Sequence, residues 1–339
     1  MNRSYFNGKK VLVTGGLGFI GSCVVRTLLE ESTADIQIID KFGVGSNLKS
    51  LNLQYGHRYK ISPLDLAWTD KVIQTSLSFD PEIIIHLAAE SHVDRSISGP
   101  ATFVASNVTG TFSILEAARR CYENSKGFSQ RNFKFHHVST DEVFGSLDSG
   151  GSFNESSPYD PRSPYSATKA ASDHLVRAWH HTYGLPVTIS NCSNNYGPWQ
   201  ADEKLIPTAI RSILDNKPVQ LYGDGSNVRD WLYVQDHVDA ILACVERGKI
   251  GSTYCVGTRC ERSNVDLVYD IFNIFKSLDT DYSNRAMSIN YIKDRPGHDF
   301  RYSIDPSKIE TELNWSPRFE YSAALRDTVD WYIKQYSND

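Results

Sequence analysis

The sequence lacks the features that mark membrane proteins and nucleic-acid-binding proteins. No apolar run approaches the roughly 20 residues that a helix needs to span a bilayer, and no signal peptide is visible at the polar amino terminus. The 339 residues carry a formal net charge of −5, whereas binding to phosphate backbones requires a basic face. We therefore expect a cytoplasmic protein with neither a membrane nor a nucleic-acid partner, although a single nucleotide held by a few local cations remains compatible with this charge.

Closely spaced cysteine pairs are also missing. The sequence contains no CxxC motif and no cysteine spacing typical of a metal site. The cysteines are Cys23, Cys121, Cys192, Cys244, Cys255 and Cys260. We expect buried or incidental thiols in a reducing compartment, and no bound metal. The length and the 40% hydrophobic content predict one large α/β unit with a smaller lobe.

A glycine-rich loop follows the first apolar strand, at residues 10–14. Gly15, Gly18 and Gly21 have the spacing GxxGxxG. Glycines at such positions permit a tight turn and a close approach of the backbone to a pyrophosphate. The helix that begins in this loop offers free N–H groups and the positive end of its dipole to phosphate. The loop therefore predicts a dinucleotide-binding site.

An acid closes the second predicted strand, at residues 35–40. Asp40 lies 19 residues beyond Gly21, about where a carboxylate binds the adenosine ribose hydroxyls of NAD. Because this carboxylate would repel a ribose phosphate, the sequence favours NAD over NADP, and the neighbouring Lys41 weakens that preference a little. The alternative is a surface acid that merely closes a strand.

Two later strand ends extend the predicted cofactor site. Asp65 and Leu66 follow a strand at residues 59–62 and are placed to meet an adenine edge. Small residues follow the strand at residues 82–87, and they allow the backbone to pass close to a cofactor. His86 is interpreted as a packed strand residue, whereas His92, just beyond the strand, is a candidate for substrate contact.

The stretch from residue 138 to residue 169 carries the predicted chemistry. A buried strand at residues 133–138 delivers polar residues 139–142 to the edge of a parallel sheet, where open α/β folds bind ligands. Pro164 suits the first turn of a helix, which would place Tyr165 and Lys169 one turn apart on the same face. A nearby ammonium would lower the pKa of the tyrosine and make it a general base. The alternative is a half-buried tyrosine and a solvated lysine.

With the glycine loop, the Ser-Thr strand end and the YxxxK motif in one order, the chain resembles the extended short-chain dehydrogenase/reductase family. More narrowly, it is similar to the nucleotide-sugar 4,6-dehydratases of the dTDP-glucose type. The segments behind the closer match are residues 87–96, 139–145, 191–198, 203–207, 229–233 and 294–299. Residues 43–46 and 199–202 depart from the usual pattern, which leaves the choice between a dTDP and a UDP sugar open.

This resemblance implies a Rossmann-type, doubly wound parallel sheet with a smaller carboxyl-terminal α/β substrate lobe. It implies an NAD-binding domain over residues 1–190, including the catalytic residues. Residues 191–339 would mainly bind the nucleotide sugar, with some return of the chain to the Rossmann sheet. A homodimer is implied by the resemblance alone.

The resemblance also implies a reaction. Tyr165, assisted by Lys169, would deprotonate the sugar O4 while NAD oxidises C4, and Thr140 would hydrogen-bond O4. Glu142 would then remove the C5 proton, and Asp141 would protonate the departing C6 hydroxyl. Return of hydride to C6 would give a 4-keto-6-deoxy sugar for deoxysugar biosynthesis. Adjacent carboxylates on a strand end can also be merely solvated or paired with cations.

The full set of predicted site residues combines these motifs with positions carried over from the family. The predicted cofactor-binding residues are Gly15, Gly18, Phe19, Ile20, Gly21, Asp40, Lys41, Asp65, Leu66, Leu87, Ala88, Ala89, Ser91, Ser106, Ser139, Tyr165, Lys169 and Asn195. The predicted substrate-binding residues are His92, Thr140, Asp141, Glu142, Asn194, Lys204, Leu205, Gln220, Leu221, Tyr222, Arg229, Asn264, Arg295 and His298.

Other functions remain open at this stage. A UDP-glucose 4,6-dehydratase would use the same residues. A UDP-sugar 4-epimerase would share the oxidation at C4 but would have no use for the acid pair at Asp141 and Glu142. A UDP-glucuronate decarboxylase would need a cationic pocket for its C6 carboxylate, which the sequence does not plainly show. A non-catalytic NAD-binding scaffold is the alternative outside the enzymes.

Overall fold

The computed structural model describes residues 3–51, 58–125, 132–148, 150–278 and 286–337. Within these residues, a central sheet is formed by the strands β1 (Lys10–Thr14), β2 (Asp35–Asp40), β3 (Tyr59–Pro63), β4 (Ile83–His86), β5 (Lys134–Thr140), β6 (Val187–Cys192) and β10 (Thr253–Val256). All seven strands are parallel, and their order in the sheet is β10-β6-β5-β4-β1-β2-β3. The predicted doubly wound parallel sheet is confirmed.

Helices cover both faces of this sheet. The helices, numbered in chain order, are α1 (Phe19–Glu31), α2 (Thr69–Phe79), α3 (Val93–Ser98), α4 (Pro100–Phe103), α5 (Gly110–Asn124), α6 (Pro164–Tyr183), α7 (Leu205–Leu214), α8 (Val234–Arg247), α9 (Asn264–Leu278), α10 (Ser307–Leu313) and α11 (Tyr321–Ser337). Side chains of α1 and α8 pack on one face, and those of α2, α5 and α6 pack on the other. The near-continuous apolar strands fit a parallel sheet that is buried on both faces.

The strand order reverses between β1 and β4, because the chain winds outward from β1 to β3 and then returns to the other side of β1. Ligands of doubly wound sheets bind at the carboxyl ends of the strands beside such a reversal. The segments that follow β1, β2, β4 and β5 all emerge at this edge. The fold thus brings together residues that are far apart in the sequence.

A second lobe stands beside this edge. Its strands are β7 (Asn194–Tyr196), β8 (Val219–Tyr222), β9 (Val228–Tyr233), β11 (Glu261–Ser263) and β12 (Ile289–Ile292). β9 lies between β7 and β11, β8 pairs with β12, and α7, α9 and α11 enclose a separate apolar core. The predicted boundary after residue 190 lies within β6, and β10 joins the central sheet from the later half of the chain.

Residues 103–121 have the apolar spacing of one long amphipathic helix, but a wider turn interrupts it. α4 ends at Phe103, a π-helical turn spans Val104–Thr109, and α5 begins at Gly110. The carbonyl of Asn107 accepts hydrogen bonds from the hydroxyls of Thr111 and Ser172. Two hydroxyl groups thus bind a carbonyl group of the widened turn, and the apolar spacing alone does not reveal these hydrogen bonds.

No helix of the described residues is both long and apolar enough to cross a membrane.

Candidate active site

A cavity of roughly 600 Å³ runs from the glycine loop to the second lobe. All the cofactor-binding and substrate-binding residues predicted from the sequence line it. They come from the carboxyl ends of five strands of the central sheet (β1 to β5), from α1, the π-helical turn and α6, and from the second lobe. The structure therefore places the predicted cofactor and substrate groups around one continuous space.

The glycine loop forms a cradle that side chains would fill. Gly15 has a φ of +69°, and a Cβ atom on it would lie 2.8 Å from the backbone nitrogen of Ala88. A Cβ atom on Gly21 would lie 2.0 Å from the carbonyl oxygen of Gly15. Gly18 precedes the first residue of α1, whose free N–H groups face this loop. The loop fits the pyrophosphate of a dinucleotide.

Asp40 ends β2 at the rim of the cavity, where its carboxylate is held by the chain around it. It accepts hydrogen bonds from the backbone N–H of Leu17 and Phe42 at 3.1 and 2.9 Å, and from the hydroxyl of Ser46 at 2.8 Å. The ammonium of Lys41 is 2.7 Å from a carboxylate oxygen of Glu90. Lys41 is therefore paired with Glu90. A ribose phosphate would meet the negative charge of Asp40 without Lys41 to offset it, so the site favours NAD over NADP.

Tyr165 and Lys169 lie one turn apart at the start of α6. Ser163 caps this helix through a capping box with Ser166, and Pro164 occupies its first position, as the sequence predicts. Tyr165 is buried, and burial, followed by the charge of Glu142, raises its pKa well above the usual value. The Lys169 ammonium donates to the carbonyl of Val138 at 2.8 Å. The pKa of Tyr165 is therefore raised rather than lowered as the sequence predicts, because burial outweighs the opposing influences on it.

The acid pair lies in a 3₁₀ turn, Asp141–Phe144, directly after β5. The hydroxyl of Thr140 donates to Asp141 at 3.2 Å and accepts from the backbone N–H of Glu142 at 3.3 Å. Asp141 is 1% exposed, and burial followed by the charge of Glu142 raises its pKa well above the usual range. Burial also raises the pKa of Glu142, against the influence of Arg295 and other nearby cations. Proton retention is therefore favoured at Asp141.

Three cations from the second lobe act on the charge of Glu142. Lys204 donates to the carbonyl of Ser91 at 3.0 Å, and Arg295 is 3.6 Å from the carboxylate of Asp94. Arg229 is buried and donates to backbone carbonyls at residues 228, 299 and 300 rather than to a carboxylate. The charge of each opposes the rise in the pKa of Glu142. The same cations suit the phosphates of a nucleotide diphosphate.

Three more of the predicted substrate residues, His92, His298 and Asn264, line the same cavity. His92 caps α3, its Nδ1 accepting from the backbone N–H of Arg95. His298 Nδ1 is 2.6 Å from Asp294, and burial lowers the pKa of this histidine to about 4. Asn264 is the first residue of α9. His86, as the sequence indicates, is a packed strand residue between the hydroxyls of Thr14 and Thr111.

Sequence reasoning missed several residues that line the same cavity or support it. Glu90 forms an ion pair with Lys41, and Asp94 forms one with Arg295. Asp94 also accepts a hydrogen bond from the Tyr222 hydroxyl at 3.2 Å, and Ser46 donates one to Asp40. Glu90 and Asp94 lie in the segment 87–96 that carries the family resemblance, so their position could have indicated them. His237 is different: it is buried and contacts the Asn195 amide oxygen through Nδ1 at 2.8 Å, and no spacing in the sequence indicates this contact.

The comparison with known protein families agrees with this geometry. The family model described as GDP-mannose 4,6 dehydratase matches residues 12–328. The chain belongs to the GDP-mannose 4,6 dehydratase family. The predicted resemblance to nucleotide-sugar dehydratases is thus confirmed over almost the whole sequence.

Individual members of the family are similar along their full length. A probable dTDP-glucose 4,6-dehydratase of Sinorhizobium fredii is 50% identical over 326 residues, covering 96% of this chain and 93% of that protein. The dTDP-glucose 4,6-dehydratase of Salmonella typhimurium is 44% identical over 334 residues, covering 96% and 92%. A dTDP-glucose 4,6-dehydratase of Streptomyces venezuelae, solved with NAD bound, superposes with a TM-score of 0.87 at 38% identity, covering 97% and 98%.

The family match covers both the central sheet and the substrate lobe. Within the described ranges, no group of three or more histidine, cysteine, aspartate or glutamate side chains is arranged to hold a metal ion.

Proposed function

We propose that the protein is a hydro-lyase that dehydrates dTDP-glucose to its 4-keto-6-deoxy product with NAD as cofactor. The observation that carries this proposal is the pair Asp141 and Glu142, which lines one cavity with Tyr165 and whose charges both raise the pKa of its phenol. Water elimination needs an acid and a base beside the group that removes the O4 proton. The similarity to dTDP-glucose 4,6-dehydratases over more than nine tenths of the chain supports the same reaction.

Gly15, Gly18, Gly21 and Asp40 would hold the NAD. The glycines leave room for the pyrophosphate at the start of α1, and Asp40 would accept the ribose hydroxyls. The binding of NAD by the Streptomyces relative supports this assignment. When bound, NAD accepts hydride from C4 of the sugar and returns it to C6.

Tyr165 is proposed to take the proton from the sugar O4. The phenol is buried at the floor of the cavity, so its charged form depends on neighbouring groups. Thr140 has a hydroxyl close to this phenol and opposes the rise in its pKa. A substrate hydroxyl placed between Thr140 and Tyr165 would be oriented by one and deprotonated by the other.

Glu142 and Asp141 are proposed to act on C5 and C6. Oxidation at C4 acidifies the C5 proton, and Glu142, under the influence of three cations, would accept it. Asp141 lacks such an array, is fully buried and retains its proton more readily. It would donate that proton to the C6 hydroxyl, which leaves as water, and Glu142 would return a proton to C5 as hydride adds to C6. The two carboxyls thus have the different proton affinities that the two roles require.

The other sugar reactions fit the site less well. A 4-epimerase does not eliminate water from C6 and so has no step for an acid there, whereas Asp141 and Glu142 both line the cavity with Tyr165, Asp141 buried and Glu142 partly buried. A UDP-glucuronate decarboxylase loses C6 as carbon dioxide, so it has no C6 hydroxyl for Asp141 to protonate. A UDP-glucose 4,6-dehydratase would use the same catalytic groups, so the nucleotide is assigned from the similarity to the dTDP-glucose enzymes.

The proposal can be tested by mass spectrometry. The purified protein is incubated separately with dTDP-glucose and UDP-glucose, each deuterated at C4. We expect loss of one water with retention of the deuterium, and faster turnover of the dTDP sugar. Isomerisation without loss of water would establish an epimerase instead, and no turnover of either sugar would contradict the proposed function.

We further propose a homodimer in the cytoplasm. Ile97, Val104, Phe112 and Tyr183 are large apolar side chains that are 37 to 50% exposed, and they lie on α3, the π-helical turn, α5 and α6. Large exposed apolar side chains on neighbouring helices are typical of an interface. The six cysteines, all within the described ranges, are free thiols, which supports a reducing compartment.

A further inference from the structure

Asp173 is a buried carboxylate to which the proposed reaction assigns no part. Tyr165, Lys169 and Asp173 are spaced at i, i+4 and i+8 on α6, and they therefore share one face of the helix. The Asp173 side chain is 0% exposed. A buried carboxylate is costly unless it is paired and hydrogen-bonded, so its partners indicate what the charge does.

Hydrogen bonds from three directions hold this carboxylate. Its Oδ2 accepts from the hydroxyl of Ser139 at 2.9 Å, from the phenol of Tyr159 at 2.7 Å and from the amide of Asn191 at 3.2 Å. Its Oδ1 lies 3.1 Å from Nε2 of His137. Although burial raises the pKa of Asp173, the contact with His137, the charge of Lys169 and the hydrogen bond from Tyr159 together bring it below the usual value, so the carboxylate is ionised.

The same contacts reach the strand end that carries the acid pair. Ser139 immediately precedes Thr140 in β5, and Asn191 donates a second hydrogen bond to the carbonyl of Thr140 at 3.1 Å. Asp173 thus connects α6 to β5 at Ser139, and through Asn191 to Thr140. A group that holds both elements fixes the position of Tyr165 relative to the residues after Thr140.

The charge of Asp173 also acts on Lys169. The Lys169 ammonium is buried, which lowers its pKa, and Asp173 is the largest influence in the opposite direction. The neighbouring His86 and His137 are neutral, because burial lowers the pKa of both and that of His137 to about 4. Cys192 is a neutral thiol, because burial raises its pKa.

Arg177 is a further cation near the Asp173 carboxylate. Arg177, one turn beyond Asp173 on α6, donates to the hydroxyl of Tyr159 and therefore lies behind the carboxylate rather than between it and Lys169. Among the described groups that act on Lys169, Asp173 is the one that carries a negative charge at neutral pH. Without Asp173, the buried ammonium of Lys169 would be surrounded by neutral side chains.

We propose that Asp173 is a positioning residue, which supplies the counter-charge for the Lys169 ammonium and fixes the end of β5 against α6. This inference rests on the proposed function, since it gives Asp173 a part in the same reaction. A neutral residue at this position would release the Lys169 proton more readily. The neutral lysine would no longer favour the phenolate of Tyr165.

The test compares Asp173→Asn, which removes the charge at similar size, with Asp173→Glu, which retains it. Asp215→Asn is the matched control, because Asp215 is an exposed carboxylate of the second lobe paired with Lys217. For each variant, kcat and KM for dTDP-glucose are measured from neutral to alkaline pH. In Asp173→Asn we expect the alkaline fall of kcat to move to lower pH, with a loss of about 10-fold or more, and little change in KM. Asp173→Glu should restore the alkaline fall towards its wild-type position.

A second readout needs no substrate. Burial lowers the pKa of Lys169 in the folded chain, so the unfolded chain binds more protons between the folded value and the ordinary value of 10.5. Stability therefore rises with pH across that window. Removal of the counter-charge should make this rise begin at lower pH in Asp173→Asn than in Asp215→Asn. Asp173→Ser, a smaller neutral variant, takes the place of Asp173→Asn if the amide prevents folding.

The outcomes separate this inference from the proposed function. A uniform loss of kcat with the wild-type pH dependence, together with an unshifted stability curve, would reduce Asp173 to a structural residue and overturn the proposal. Wild-type protein that forms no product from dTDP-glucose would contradict the proposed function instead. In that case the stability curves still decide whether Asp173 is the counter-charge of Lys169.

Discussion

Asp141 and Glu142 are adjacent in the sequence but lie in different electrostatic surroundings. Asp141 is buried beside Glu142 and Asp230, whereas Glu142 is under the influence of Arg295, Lys204 and Arg229. The sequence shows two neighbouring acids and, through the family resemblance, their roles. It does not show that the second lobe brings three cations to one of them, because those residues are separated from the pair by at least 60 positions.

Asp141→Asn should slow the loss of water. An amide cannot donate the carboxylic proton to the leaving hydroxyl, so we expect kcat to fall by about 10² to 10⁴-fold. NAD binding should be unchanged, because Asp141 follows the strand rather than the glycine loop. Turnover of dTDP-glucose and calorimetric titration with NAD measure the two effects, and an unchanged rate of dehydration would remove Asp141 from the acid's role.

Glu142→Gln should block proton removal at C5. In deuterated water, the wild-type protein should introduce solvent deuterium at C5, and the variant should lose this exchange together with the elimination. Nuclear magnetic resonance of the recovered sugar measures the label. Exchange at the wild-type rate in the variant would show that another group removes the proton.

The burial of Asp141 also predicts how this residue makes the stability of the protein depend on pH. Its pKa is raised in the folded chain, so the folded chain binds this proton more tightly than the unfolded chain does. Stability contributed by this group is therefore present below the ordinary aspartate pKa and is lost as the pH rises through the folded value. We expect Asp141→Asn to melt at a higher temperature than wild type at neutral pH, with the difference shrinking in acid. A variant that is less stable than wild type at neutral pH would contradict this account.

At the scale of single elements, the glycine loop and α6 show what local sequence determines. The capping residues Ser163 and Pro164 and the spacing of Tyr165 and Lys169 follow from rules that apply within one turn of helix. The π-helical turn at Val104–Thr109 does not. It is stabilised by Thr111 and by Ser172 of another helix, so it depends on packing that a single stretch of sequence does not contain.

Gly21→Ala should disturb the glycine loop. The added Cβ atom would lie 2.0 Å from the carbonyl oxygen of Gly15, so the loop or α1 must move. We expect a loss of about 1 to 3 kcal/mol in the free energy of unfolding and much weaker NAD binding. Gly150→Ala is the control, because its Cβ would meet no atom within 4 Å. Equal NAD affinity in both variants would argue against the cradle.

At the scale of the whole molecule, the parallel sheet and the substrate lobe were predictable, because the motifs that carry the family resemblance span nearly the full chain. The partners of individual side chains were less accessible. Arg229 binds backbone carbonyls near residue 300 rather than a carboxylate, and His237 supports Asn195 from a helix about 40 residues later. Such contacts depend on how the two lobes pack, and no local pattern encodes that packing.

Val104→Glu should disrupt the proposed homodimer. Val104 and Phe112 are 50% and 38% exposed, and a carboxylate buried at an apolar interface without a partner is unfavourable. We expect light scattering during size-exclusion chromatography to give the mass of one chain for the variant and of two chains for wild type. Tyr269→Glu, at a similarly exposed side chain of α9, should remain dimeric, and a dimeric Val104→Glu would exclude this surface.

The position of β10 has a consequence for synthesis on the ribosome. β6 is complete at residue 192, but its outer neighbour in the sheet begins only at residue 253. A nascent chain released between these points would present β6 as an open strand edge, able to pair with other chains. Premature termination within this interval should therefore yield insoluble fragments, even though the glycine loop and Tyr165 have already been made.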